Sequence, residues 1–394
     1  MNLDGLVIKV ASRCNINCSY CYMYNLGDLS FQFQPKFLAK RHISLLARRI
    51  RTYCLAEDKK YFEVIIHGGE PLLMSIGDFE YFLEEMSNVL KPDIIPIFSV
   101  QTNGILLNQR WFDLLERHSV SLSVSLDGPE LINDLHRLDH RGKSTYQGTL
   151  NGISSAMEFF GPRKEVGVLA VMTPKSDPIG LYRFFKDLKV RNLDFLFPHH
   201  NYDHPPAREH ADSYSDWWIE LFNEWYFDED SDKPNIRFLT QIIVTVLGCN
   251  VGFDMLGNHT SNYLIIETDG SIETVDGLKS CGDGFTKEGI HIETHELVDA
   301  IQAPLIQLYH ESHVKLPDAC QKCPISEICG GGFLAHRYAA KNGFNNPSVY
   351  CRDLVKIIAR VQNTVIGGLS MSTRTAAGIE AIDVGELLAD IGWD

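Results

Sequence analysis

The first 200 residues alternate between short runs of β-branched and apolar residues and longer stretches with apolar positions at helical spacing. The apolar runs are LVIKVA at 6–11, EVIIHG at 63–68, IPIFSVQTNG at 95–104, VSLSVSLDG at 120–128, EVGVLAVMT at 165–173 and NLDFLFPHH at 192–200. They are continuous rather than alternating, which is the pattern of strands buried on both faces, as in parallel sheets. Between them, residues 35–59, 76–90, 109–118, 145–160 and 178–190 read as amphipathic helices, with Pro178 suited to a first helical turn. Six β–α units in series predict a parallel α/β sheet curled into a partial (β/α)6 barrel. In such folds chemistry sits where the strands end, at their C-terminal rim. Four motifs fall there: the cysteine triplet after 6–11, HGGEP, QTNG and SLDG.

Beyond residue 200 the pattern changes. NYDHPPAREHAD at 201–212 interrupts it, and an aromatic helix follows at 215–227, expected to be core. DEDSDKP at 228–234 marks a boundary. An apolar helix near 236–247 precedes NYLIIETDGSIETVDGL, a hairpin turning at Asp269-Gly270. That hairpin, over 262–279, is expected to be exposed and able to take a peptide strand by edge addition. Helical stretches follow at about 295–311 and 352–365, then a Ser/Thr/Gly/Ala-rich tail. The expected organisation is a barrel at 1–232, a small α+β domain at 233–365 and a C-terminal tail at 366–394.

Composition narrows the function classes. Lys plus Arg is 36 against 51 Asp plus Glu, a net charge of −15. Such a chain lacks the basic face that nucleic acid requires. No apolar run reaches the length of a membrane span, and the N-terminus has no signal-peptide pattern, so a cytoplasmic protein is expected. Ten cysteines in a reducing compartment read as metal ligands rather than disulfides. Cys14, Cys18 and Cys21 form a CxxxCxxC triplet, whereas Cys320, Cys323 and Cys329 form a second group with Cys351 downstream. Thiolates suit zinc or iron–sulfur clusters. A structural zinc closes on four ligands, so three alone leave either a fourth ligand elsewhere or an open metal corner. Cys54 and Cys249 lie in or beside apolar helices and are expected to be buried packing cysteines.

The triplet after a first strand, with Tyr20 before its last cysteine, resembles the radical S-adenosylmethionine (SAM) enzymes over roughly residues 5–230. That resemblance implies a 4Fe–4S cluster on Cys14, Cys18 and Cys21 whose open iron binds SAM. Gly68, Gly69, Glu70 and Pro71 match the family's GGEP-type motif. Its glycines are expected to let the backbone approach SAM, and Glu70 to offer an acceptor. Thr102 and Asn103 in QTNG and Ser125 in SLDG are candidate SAM contacts, or else turns that close strands. Tyr20 is a candidate to pack on adenine, and Arg137 to pair with the SAM carboxylate.

The second cysteine group resembles the auxiliary cluster of SPASM domains. This implies a second 4Fe–4S cluster on Cys320, Cys323, Cys329 and Cys351. Phe333 stands where the fuller pattern has a further cysteine, so one auxiliary cluster is expected rather than two. GGGFLAHRY followed by NPSVYC resembles peptide maturases that build cyclophane crosslinks in ribosomally synthesised precursor peptides. The function expected from it is β-hydrogen abstraction followed by C–C bond formation to an aromatic ring. An anaerobic sulfatase maturase that forms formylglycine, or a non-catalytic zinc-binding peptide-interaction protein, is the alternative. His199, His200 and Asp203, after the sixth strand, and His336 are the candidate catalytic or peptide-contacting residues. A precursor peptide and an electron donor such as flavodoxin or ferredoxin are the implied partners, with no nucleic acid and no membrane.

Overall fold

The computed structural model describes residues 2–249, 252–370, 372–374, 378 and 380–392. Parts of the expected tail (371, 375–377, 379, 393 and 394) lie outside the described residues. Two compact units emerge, Met1–Ala170 with Val190–Asn192 and Asn262–His310, and Val171–Lys189 with Leu193–Ser261 and Glu311–Asp394.

In the first unit the strands are β1 (Gly5–Ala11), β2 (Ile16–Cys18), β3 (Tyr61–Gly68), β4 (Ile95–Thr102), β5 (Ser121–Ser125), β6 (Arg137–Asp139) and β7 (Val166–Val171). β1, β3, β4, β5 and β7 pair in that order, all parallel. β1 has neighbours on both sides and is buried along almost its whole length, which is why GLVIKVA reads as an apolar run broken only by Lys9. The helices between strands are Lys40–Ala56, Ile76–Leu90, Gln109–Arg117 and Tyr146–Phe160. Each turns one apolar face inward. In the first, Ile43, Leu46, Ala47, Ile50, Tyr53 and Cys54 are buried, and each large side chain contributes about 1.5–3 kcal/mol by leaving water. Local capping sets the starts. The Ser75 hydroxyl accepts from Asp78 N (3.1 Å), and the Asn108 side chain accepts from the amides of Arg110 and Trp111.

Two features depart from the sequence pattern. The hairpin is present, as β10 (Tyr263–Ile266) and β11 (Ile272–Glu273), and Gly270 takes the turn with φ of +97°. It is not exposed, however. β10 pairs parallel with β1, and Ile266, Ile272 and Glu273 are at most 1% accessible. The β10 side of the hairpin is therefore taken by β1, and β11 ends the sheet. Second, β2 and β6 form a separate antiparallel ribbon that sets Cys18 opposite Arg137.

The second unit contains most of β8 (Asn192–Leu196), β9 (Asn235–Ile236) and the helices Pro178–Asp187, Ser213–Tyr226, Arg237–Val246 and Cys351–Gly367. Asp177 caps the first of these, and Pro178 opens it. The aromatic helix is core. Trp218 is fully buried, with its ring 4.4 Å from Phe238 and 5.6 Å from Phe197, and Phe197 lies 4.7 Å from Tyr350. Buried Asp353 receives Arg208 Nη1 and Nη2 at 3.1 and 2.5 Å, and Ser215 N at 3.0 Å. Cys54 is buried as expected, but Cys249 is exposed, because the helix ends at Val246 and the chain turns outward before the cysteine. Among the described residues no helix is long and apolar enough to cross a membrane.

Candidate functional site

The loop after β1 brings Cys14, Cys18 and Cys21 together. Tight turns hold it, with Cys21 N donating to Cys18 O (3.0 Å) and Asn25 N to Cys21 O (2.8 Å). Asn25 Nδ2 also donates to Cys18 O (2.7 Å). Burial pushes the Cys14 and Cys21 thiols up to about 12, and the neighbouring thiols add to the shift. Burial raises Cys18 too, while Arg137 opposes it. Three thiols on one short loop that resist ionisation on their own are a donor set suited to a multivalent cationic partner.

The GGEP segment is stitched to this loop. Gly69 N donates to Ala11 O (2.8 Å) and Glu70 N to Arg13 O (2.9 Å), so the end of β3 is stitched to the residues just before Cys14. A Cβ on Gly68, whose φ is +153°, would lie 2.3 Å from Ala11 O, and one on Gly69 would lie 1.9 Å from the Tyr24 hydroxyl and 2.5 Å from Arg13 O. The glycines thus admit the cluster loop's own backbone. Gly69→Ala is expected to displace that loop, so that 5′-deoxyadenosine formation from SAM disappears. Gly77→Ala, whose added Cβ meets nothing within 4 Å, leaves it unchanged. Anaerobic turnover assays on the two variants check this.

Glu70 is fully buried, and both its carboxylate oxygens are engaged. Oε1 accepts from Thr102 Oγ1 (2.7 Å) and Leu72 N (3.0 Å), and Oε2 from Asn103 N (2.8 Å). Burial pushes its carboxyl up against these bonds. The carboxylate ties the end of β3 to the end of β4, and buried Pro71 begins the short turn that follows. Asn103 reaches the cysteine loop. Its Nδ2 donates to Asn15 Oδ1 (2.7 Å) and lies 3.9 Å from Cys14 Sγ. Ser125 accepts from Gln101 Nε2 (2.8 Å) at the β4–β5 rim.

Tyr20 and Arg137 form a chain of their own. Arg137 Nη1 donates to the Tyr20 hydroxyl (3.0 Å), which donates to Asp127 Oδ2 (2.8 Å). Arg137 is buried beside Cys18, and its Nε has no partner among the described residues. Sequence reading singled out the SLDG motif but not Asp127 as the anchor of Tyr20.

A second buried network joins residues far apart in the chain. Lys9 is fully buried, with Nζ 2.7 Å from Asp276 Oδ1 and 3.7 Å from Glu267. Lys279 lies 2.7 Å from Glu273 and 3.1 Å from Glu267. Burial alone would raise the Asp276 carboxyl, but Lys9, Lys279 and His67 outweigh it and hold it below the usual range. Burial and Glu267 instead push Glu273 up. Tyr22, next to Cys21, feels the Asp276 charge, so this ionised carboxylate borders the cysteine loop.

In the second unit, Cys320, Cys323, Cys329 and Cys351 line one small hollow with Gly331 and Ser348. Burial raises the first three thiols, Cys329 to about 12. His336 is buried, its ring 5.3 Å from Phe333, 4.9 Å from Tyr350 and 6.0 Å from His199. Burial holds His336 and His200 below the usual imidazole range. Asp203 is exposed and accepts from Ala340 N (2.9 Å).

Known proteins bear on this geometry. A family model of the radical SAM superfamily matches residues 8–184. A cysteine-type anaerobic sulfatase-maturating enzyme of Clostridium perfringens (strain 13 / Type A) is 26% identical over 371 residues, covering 88% of this chain and 93% of the relative. A serine-type anaerobic sulfatase-maturating enzyme of Klebsiella aerogenes is 24% identical over 343 residues, covering 86% and 81%. The solved structure of native anSMEcpe with bound AdoMet has a TM-score of 0.80 at 22% identity, over 92% of this chain and 98% of that one.

These matches correct the expectation of a cyclophane-forming, crosslinking maturase, since relatives aligned along nearly the whole chain are sulfatase-maturating enzymes. The physical reason lies in the motif that carried that expectation. In GGGFLAHRY, Gly331 lines the four-cysteine hollow and Arg337 binds the glycine carbonyls, so the stretch builds a thiol pocket and does not mark a substrate. SAM and a 4Fe–4S cluster are the superfamily's cofactors, and the three-thiol loop with its stitched glycines fits them. Residues 8–184 match the radical SAM superfamily model, and the chain has the α/β fold of the solved structure it resembles.

Proposed function

We propose that this chain oxidises a cysteine or serine side chain of a sulfatase polypeptide to the aldehyde of formylglycine. The observation that carries the reading is the presence in one chain of two thiol sets of different size, three at the end of β1 and four around a single hollow. Full-length likeness to both the cysteine-type and the serine-type maturating enzymes supports it.

In this reading Cys14, Cys18 and Cys21 hold the SAM-binding cluster, reduced by a flavodoxin or ferredoxin, and Cys320, Cys323, Cys329 and Cys351 close a second cluster. When bound, these groups and SAM supply an acceptor for one hydrogen atom and an acceptor for one electron. The chain's own part is to place the substrate and take the remaining proton. Asp276 is our candidate for that proton, because it stays ionised in a buried position beside the cysteine loop. A hydrogen atom from Cβ, an electron and a proton from the hydroxyl convert serine directly to the aldehyde. For cysteine the same losses give a thioaldehyde, which water hydrolyses with release of hydrogen sulfide.

The test is anaerobic incubation of the iron-loaded protein with SAM, a one-electron reductant and two sulfatase peptides that differ only in cysteine or serine at the modified position. Loss of two hydrogens from the serine peptide, or replacement of sulfur by oxygen with loss of two hydrogens from the cysteine peptide, is expected. Formation of 5′-deoxyadenosine with both peptides unchanged would overturn the proposal.

A further inference from the structure

We infer that Arg337 is the countercharge of the second thiol set and raises the reduction potential of the cluster that those four sulfurs hold. The inference rests on the proposal that Cys320, Cys323, Cys329 and Cys351 close an iron–sulfur cluster.

Arg337 is 1% exposed. Its Nε donates to Gly331 O (2.9 Å), Nη1 to Ser312 O (2.7 Å), and Nη2 to Gly330 O (2.6 Å) and Gly332 O (2.7 Å). Every acceptor is a neutral carbonyl, and among the described residues Arg337 makes no ion pair. A guanidinium withdrawn from water and bonded only to neutral groups is costly unless an anion lies close. Burial pulls the guanidinium down to about 10, and the groups that oppose this are sulfurs: Cys320 and Cys329 both favour its charged form. The nearby imidazole of His313 adds no charge, since burial and then Arg337 itself press it down to about 3.

The loop is shaped around this side chain. Gly330, Gly331 and Gly332 take φ of +58°, +74° and +69°, and a Cβ on Gly331 would meet the guanidinium at 2.8 Å. Three successive left-handed glycines turn their carbonyls onto the cation while Gly331 also borders the four cysteines. A cluster on four thiolates is net negative and becomes more so on reduction. A fixed positive charge beside it therefore favours the reduced form and makes it a better electron acceptor.

The experiment uses the full chain carrying Cys14→Ala, Cys18→Ala and Cys21→Ala, so that only the second set loads iron. It compares this parent with Arg337→Lys and Arg337→Gln versions of it. Each is reconstituted anaerobically and titrated with redox mediators, with the reduced cluster read by electron paramagnetic resonance. Arg337→Gln is expected to lower the reduced-to-oxidised ratio at fixed potential about tenfold, which is about 59 mV for a one-electron couple. Arg337→Lys, which keeps the charge but not the fork of donors, is expected to stay near the parent. Equal midpoints in all three, or a lysine variant shifted as far as glutamine, would overturn the inference. If the glutamine variant loads no iron, the lysine variant decides alone: a parent-like potential supports the charge, and loss of the cluster assigns Arg337 a structural role only. Should the parent itself bind no iron, the four-thiol proposal fails first and takes this inference with it.

Discussion

Alanine in place of any one of Cys14, Cys18 or Cys21 is expected to abolish 5′-deoxyadenosine formation and to remove about four irons per chain, leaving the second set loaded. Cys18 is buried and Cys14 and Cys21 are half-buried, and Cys18 raises the cost of ionising both of the others. Two thiolates cannot keep a cubane and still present an open iron for SAM. The matched change in the other set, Cys323→Ala, should spare SAM cleavage while stopping peptide oxidation, because the electron then has no acceptor. Iron analysis with paired assays of deoxyadenosine and peptide product separates the two. Retention of SAM cleavage in a triplet variant would contradict the assignment.

Asp276→Asn is expected to slow peptide oxidation by roughly 10²–10⁴-fold, the range for losing a positioned proton acceptor. Deoxyadenosine should still form, now uncoupled from product. Asparagine keeps an oxygen that can accept from Lys9 Nζ, and Lys9 retains Glu267 at 3.7 Å, so the fold has little reason to fail. A variant that loses deoxyadenosine and product in equal proportion would mark Asp276 as structural. A variant with unchanged product formation would remove it from the reaction.

Much of the first unit was legible because its strands declare themselves locally. The apolar runs at 6–11, 63–68, 95–104, 120–128 and 165–173 fall on β1, β3, β4, β5 and β7, but only β1 is buried on both faces; along the other four, buried positions alternate with more exposed ones that are themselves often apolar, as Ile95 and Ile97 are. The helices were equally readable from their apolar faces and caps. What escaped depends on partners far along the chain. Nothing near residue 263 says that YLII will pair with β1, so the hairpin was placed in solvent although its turn at Gly270 was right. Lys9 looks like a stray charge in LVIKVA, and its partner Asp276 is 267 positions away. β2 and β6 have three residues each, too few for periodicity, yet they bring Arg137 to Cys18.

At the site, residue types were legible before their tasks. GGEP, QTNG and SLDG were found as rim motifs, but Gly69 and Glu70 turn out to hold the cysteine loop and the β4 end. HRY was legible as a motif, yet the carbonyl cage around Arg337 depends on three glycines whose conformation no local pattern reveals.

One measurement bears on the whole account most directly: iron, zinc and acid-labile sulfide counted on the protein purified and reconstituted without oxygen. The account predicts about eight irons with an equal number of sulfides per chain, falling to about four when Cys14, Cys18 and Cys21 are all alanine. A chain that carries zinc and no iron would contradict it.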